Sequence, residues 1–286
     1  MASEAHSNIP VMNGWSLQDR KFIVTGGTKG IGYATTRALL LHGAEVLICA
    51  RTSSDISSCI NALRQEFQMS SRVRIHGCSC DVSTEEGRSK LFEKSSQIFG
   101  SELHGLVNNV GKNVRRDLRN QTSEEFHSMM KVNTDSVYFL CKKFHDALKN
   151  GAISSKTSST IVNVASAAGV QSSGTGAAYG MSKAAIIHFT KILACEWAKF
   201  NIRVNAVAPW MTMTPMLEEA VKQNPSQLDK VKEWTPMKRL STVDEVANPI
   251  VFLCMECSSY VTGQCIGIDG GLTAQGFDGP CVSGIN

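Results

Sequence analysis

The chain of 286 residues has no apolar run approaching the ~18 residues that a membrane-spanning helix requires. Its first twenty residues lack the charged-then-apolar order of a secretory leader, and its last residues, Ser-Gly-Ile-Asn, are not the peroxisomal tripeptide. A large charge excess is missing too. The formal net charge is +4, and the clusters Arg115-Arg116 and Lys142-Lys143 are short enough to be solvated surface, which argues against a nucleic-acid footprint. Ten cysteines without an export signal point to thiols in a reducing compartment, by default the cytosol. Cys254-x-x-Cys257 has no second pair and no suitably spaced His, so no metal is expected there. With 42% hydrophobic and 19% charged residues, the chain suits a globular protein large enough for a full core.

Two further absences are informative. The usual G-x-G-x-x-G fingerprint is missing, and in its place stands Gly26-Gly-Thr-Lys-Gly30-Ile-Gly32, with glycines spaced G-x-x-x-G-x-G. It lies between the short β-branched run Lys21–Thr25 and a helical pattern from Tyr33 to Leu41. A strand, a glycine turn and a helix N-terminus together make a phosphate cradle. The second absence is an acid about 20 residues further on, which would hold a free ribose 2′-hydroxyl. The next strand, 44–50, ends instead at Arg51, and Lys29 lies inside the glycine turn. Two cations there suit a 2′-phosphate, so NADP(H) is expected over NAD(H).

Strands are expected at 72–80, 103–107, 201–208 and 264–269, with helices at 54–69, 84–99, 122–149, 184–200 and 243–254. Asn150–Ser159 has the composition of a flexible loop. The helix at 184–200 is apolar on nearly every side, as expected of one buried in a core or against another subunit. Residues 210–240 are poorly periodic and rich in Pro, Trp and Met, as lids and binding loops often are. These alternating elements imply one α/β domain over 1–286, a Rossmann-type doubly wound parallel sheet of about seven strands in three αβα layers.

The chemistry is expected in Ser166–Lys183. Tyr179 follows Ser166 by 13 positions, and Lys183 follows Tyr179 by four. On a helix, Tyr179 and Lys183 would share a face. A phenol ionises near pH ~10 and needs a nearby cation to work near neutrality. Ser166 would present a hydroxyl at the end of the apolar run Ile161–Ala165. Asn133 lies inside a helical pattern, where on its own it reads as tolerated surface.

Taken together, Thr25-Gly-x-x-x-Gly30-x-Gly32, Asp81-Val82, Asn108-Asn-Val-Gly111, Asn133, Ser166, Tyr179-x-x-x-Lys183 and Pro209–Thr214 resemble the short-chain dehydrogenase/reductase family. Trp15-Ser-Leu, Leu193-Ala-Cys-Glu-Trp-Ala198, Ser259–Gln264 and Asp269-Gly-Gly271 make the chain most similar to its tropinone-reductase-like branch. The resemblance implies a catalytic group of Asn133, Ser166, Tyr179 and Lys183, with Asn133 steadying a water chain instead of facing solvent. It implies that Gly26, Thr28, Lys29, Gly30, Ile31 and Gly32 face the pyrophosphate, and that Arg51 meets the 2′-phosphate. Asp81 and Val82 would hold the adenine, Asn108 and Gly111 the adjacent ribose region, and Pro209 and Thr214 the carboxamide side. Gln171, Trp210, Met213 and Met216 would line the substrate with Ser166 and Tyr179. The implied activity is NADPH-dependent interconversion of a hydrophobic or cyclic ketone and its alcohol, in a homodimer or homotetramer. A 3-oxoacyl-thioester reductase, using Lys230, Lys232, Lys238 and Arg239 to meet an acyl carrier, is the enzymatic alternative; a non-catalytic NADP sensor or scaffold is the other.

Overall fold

The computed structural model describes residues 14–67, 73–214, 217–218, 221–222 and 225–276. Seven parallel strands form one sheet in the order β3-β2-β1-β4-β5-β6-β9. They are β1 (Lys21–Thr25), β2 (Glu45–Ala50), β3 (Arg74–Ser79), β4 (Gly105–Asn108), β5 (Ser159–Val164), β6 (Ile202–Pro209) and β9 (Cys265–Ile268). Every residue of β4, β5 and β6 is buried, as a parallel sheet covered on both faces demands. The two short strands β7 (Thr212–Met213) and β8 (Ser241–Thr242) pair with each other and tie the two ends of the 210–240 segment together. No helix among the described residues is long and apolar enough to cross a membrane.

The strand order reverses direction between β1 and β4, and such switch points open a crevice at the strands' carboxyl ends. Thr25 knots that edge together. Its hydroxyl accepts from the backbone N–H groups of Asn109 (2.9 Å) and Val110 (3.2 Å), while Asn109 Nδ2 donates to the Thr25 carbonyl at 2.9 Å.

Helix α1 (Gly30–Leu41) starts three residues earlier than its apolar pattern indicates, because Gly30 and Gly32 are part of its first turn. Helix α2 spans Ser53–Glu66 and α3 spans Glu85–Phe99, the latter capped by the Thr84 hydroxyl on Gly87 N. The helix Val243–Cys254 coincides with its expected bounds and opens on a Thr242/Glu245 capping box.

The expected helix at 122–149 is interrupted and then prolonged. It comprises α4 (Ser123–Met130), a π-turn at Lys131–Asp135 and α5 (Ser136–Ser155). Most of the supposed loop Asn150–Ser159 is thus helix or strand. Gly151 is the reason: a Cβ there would meet the Leu103 carbonyl oxygen at 2.1 Å, so only glycine lets α5 lie down on the chain entering β4. Ser155 Oγ also donates to the Gly151 carbonyl at 2.6 Å. Replacing Gly151 by Ala is expected to cost about 1–3 kcal/mol by overpacking. Thermal unfolding checks this, since a true loop at 150–159 would leave the melting temperature unchanged.

Candidate active site

Helix α6 (Ala177–Trp197) begins two residues before Tyr179, so Tyr179 and Lys183 do lie one turn apart on it. The Lys183 ammonium stands 5.8 Å from the Tyr179 ring centroid. It is buried at 3% exposure and donates to the carbonyl of Val164, the last residue of β5, at 2.8 Å. Burial pushes its pKa down to about 8. Two glycines make room for it. A Cβ on Gly111 would sit 3.3 Å from Lys183 Nζ, and one on Gly169 would sit 2.6 Å from the Lys183 carbonyl carbon.

Ser166 follows β5 and caps the 3-10 turn Ala167–Gly169, its hydroxyl accepting from Ala168 N at 3.2 Å. The expected acidification of Tyr179 is not produced by these side chains. Burial pushes the phenol above its ordinary value, against a smaller opposing pull from a Ser166 hydrogen bond and the Arg115 charge. Asn133 lies in the π-turn at 1% exposure, not on the surface. Its Oδ1 accepts from Lys112 N at 2.8 Å, and its Nδ2 donates to Lys112 O and Ser182 Oγ, both at 3.0 Å. It therefore holds the loop after β4 against α6, and a π-turn at such a place is commonly functional.

A cleft of about 420 Å³ runs along the carboxyl edge of β2, β1 and β4, lined among others by Gly26, Thr28, Lys29, Arg51, Asp81, Val82 and Gly111. The glycine spacing now has a cause. Gly26 and Gly30 have φ of 64° and 54°, and a Cβ on Gly32 would lie 2.1 Å from the Gly26 carbonyl oxygen. The turn is a backbone-lined cradle that fits a dinucleotide's pyrophosphate. Ile31 packs on the core side of α1. Thr214 reaches over the same turn, its Cγ2 3.4 Å from where a Gly30 Cβ would be. Lys29 pairs with Asp55 at 2.8 Å, whereas Arg51 makes no ion pair among the described residues. Burial raises and the Ser83 backbone N–H lowers the Asp81 carboxyl, which ends below its ordinary value.

Several expected positions are corrected. Asn108 does not face the cleft: it is 2% exposed and donates to Asn163 Oδ1 at 2.9 Å inside the sheet. Its neighbour Asn109 lines the cleft, since alternate residues of a strand point to opposite faces. Trp210 meets the far end of its own segment. Its indole donates to Thr235 Oγ1 at 3.2 Å and lines a separate cavity of about 100 Å³ with Met237, Arg239 and Glu245. Pro209 closes β6 beside Ile268, and Met213 pairs with Thr242 in the small ribbon. Gln171 is half-buried just past the Ser166 turn, its N–H on the Ala167 carbonyl. Met216 lies outside the described residues. Asp55, Lys112 and Val132 of the cleft wall had no motif to reveal them.

A family model described as enoyl-(acyl carrier protein) reductase matches residues 26–273. A chloroplastic tropinone reductase homolog of Arabidopsis thaliana is 40% identical over 276 residues, 96% of this chain and 82% of that one. The tropinone reductase homolog of Datura stramonium is 40% identical over 266 residues, covering 92% and 95%. The Pseudomonas aeruginosa RhlG/NADP active-site complex superposes with a TM-score of 0.84 at 29% identity, covering 91% and 99%. L-sorbose reductase of Gluconobacter frateurii, complexed with NADPH and L-sorbose, gives 0.82 at 27% identity, covering 92% and 99%.

Burying the Lys183 charge has a measurable consequence. Its folded pKa of about 8 lies below the ordinary 10.5, so between those values the unfolded chain binds more protons than the folded one. Stability relative to Lys183→Met should therefore rise by up to about 3 kcal/mol as pH climbs through that window. Paired urea titrations at pH 7.5 and 9.5 test the sign.

Proposed function

The chain belongs to the short-chain dehydrogenase/reductase family and is an oxidoreductase acting on the CH–OH/C=O pair; from that premise we propose that it is an NADPH-dependent reductase of a hydrophobic or cyclic ketone. The observation that carries the reading is Tyr179 one helical turn before Lys183, whose buried amine stands 5.8 Å from the centroid of its ring, with Ser166 on the turn that follows β5. When bound, the reduced nicotinamide supplies a hydride to the carbonyl carbon. Ser166 hydrogen-bonds the substrate oxygen and holds it beside the phenol. Tyr179 passes its proton to that oxygen, so negative charge does not build up there. Lys183 fixes the phenol's side of α6 to β5 and offers its ammonium to the nicotinamide ribose. Asn133 keeps the Lys112 backbone, and with it Gly111, against that amine.

NADPH is favoured over NADH by Arg51, which lines the adenosine end of the cleft and makes no ion pair among the described residues, although its charge acts on the Asp81 carboxyl there. The bound NADP and NADPH of the two solved relatives agree with that choice. Of the four cations that the 3-oxoacyl-thioester alternative would use, Arg239 is held by Glu245 at 2.6 Å and Lys238 Nζ by the Glu233 carbonyl at 2.7 Å, whereas Lys230 and Lys232 are exposed, so that reading stands as the alternative. Exposed Tyr138, Phe139, Met181 and Ile192 on α5 and α6 support a homodimer or homotetramer built through those helices. The described cysteines are all free thiols, which supports a reducing compartment, in our reading the cytosol.

Turnover should fall about 100-fold or more in Tyr179→Phe while NADPH binding persists. NADPH oxidation across a carbonyl panel, with cyclic ketones beside an acetoacetyl thioester, reads this out; undiminished turnover would remove Tyr179 from the mechanism. Arg51→Ala should lower the NADPH-over-NADH preference in kcat/KM about 10- to 100-fold, the range of one charge-assisted hydrogen bond.

A further inference from the structure

The loop leaving β4 crosses the mouth of the catalytic group and carries two adjacent arginines with different fates. Arg116 is consumed: its Nε meets Glu125 Oε1 at 2.7 Å. Its backbone packs on the start of α6, where a Cβ on Gly176 would lie 3.0 Å from the Arg116 carbonyl oxygen. Arg115 has no carboxylate partner among the described residues, and its one hydrogen-bond contact is Nη2 to the Met211 sulfur at 3.7 Å, on the segment that follows β6. It is also the cation whose field acts on the Tyr179 phenol. Beside it opens a cavity of about 590 Å³, walled by residues 172–177, by Ala168 two residues after Ser166, and by Gly180, the residue after Tyr179.

We infer that the carbonyl substrate carries one carboxylate and that Arg115 receives it, an inference that rests on the reductase reading above. An unpaired guanidinium on a cavity that borders the Ser166 and Tyr179 segments is spare binding capacity for an anion, and its planar fork suits a carboxylate. A monoanion fits better than a dianionic phosphate. Of the other cations nearby, Arg116 is paired with Glu125 and Arg119 with Asp117 at 3.6 Å, while Lys112 donates to Ser128 Oγ at 2.7 Å and Lys183 to Val164 O. The same cavity also contains Asp117, a carboxylate that opposes further negative charge and is held by Asn120 Nδ2 at 2.6 Å. The substrate is then an oxo acid with an apolar body, its carbonyl at Tyr179 and its carboxylate at the loop after β4.

The test compares three cyclohexanones with NADPH: 4-oxocyclohexanecarboxylate, its methyl ester and 4-oxocyclohexyl phosphate. The expected kcat/KM ratio of acid to ester is about 10 or more in the wild type. It should collapse toward one in Arg115→Leu and recover in part in Arg115→Lys. Reading the ratio cancels any general loss of activity or folded fraction in the variants. A wild-type ratio under about 10, a ratio that survives Arg115→Leu, or a preference for the phosphate overturns the assignment. Turnover of the ester without the acid preference strikes this inference alone; no turnover of any ketone with either cofactor strikes the reductase reading and takes this one with it.

Discussion

A single buried amine sets the terms for the rest of the site. Placing Lys183 at 3% exposure costs enough to pull its pKa to about 8, and what offsets the cost is one short hydrogen bond to the end of β5. That bond fixes the register of α6 against the sheet. Because Tyr179 is on the same helix one turn earlier, fixing the amine also fixes the phenol. Gly169 and Gly111 follow from the same demand, since any side chain at either would press on the Lys183 backbone or its ammonium.

At the other end of the crevice the constraint is backbone approach, not charge. Gly32 must be glycine because α1 starts almost in contact with the Gly26 carbonyl, and Thr25 with Asn109 hold β1 and β4 so that this turn stays open. The two ends meet at the segment 109–112. Asn109 serves the glycine turn while Lys112, through Asn133, serves the catalytic helix. A change in that loop is therefore felt by cofactor cradle and catalytic group alike.

Much of this was legible in the chain. The glycine turn, the Tyr-x-x-x-Lys step and the helix at 243–254 follow from local spacing, capping and period, and the structure places them accordingly. What escaped depended on contacts distant in sequence. Asn133 gave a mid-helix signal because a π-turn leaves no mark in hydrophobic period; its burial comes from Lys112 and Ser182. Asn108 and Asn109 are adjacent amides, and only the pleat of β4 decides which one reaches the cleft. Trp210 stands where a small residue is usual in the family, but the indole finds its partner in Thr235, 25 residues on, and lines a cavity with Met237, Arg239 and Glu245. Residues 150–155 have loop composition and helical geometry because Gly151 is read by Leu103.

The electrostatics of the phenol connect these pieces. Bringing a tyrosine from ~10 to ~7 takes about 4 kcal/mol. The protein's burial of Tyr179 works against it, and the Ser166 hydroxyl and Arg115 guanidinium recover only part. Lys183 cannot supply the whole difference either, because its own charge is disfavoured by the same burial. In a medium that penalises both charged forms, the phenol stays protonated, which is the state a reductase needs from its acid. In the proposed reaction the same group serves both directions: the phenol gives its proton to a carbonyl oxygen in reduction, and the phenolate left behind takes one from the alcohol in oxidation. A carboxylate held on Arg115 would push the phenol further up, since neutralising the guanidinium removes one of the few influences that favour the phenolate.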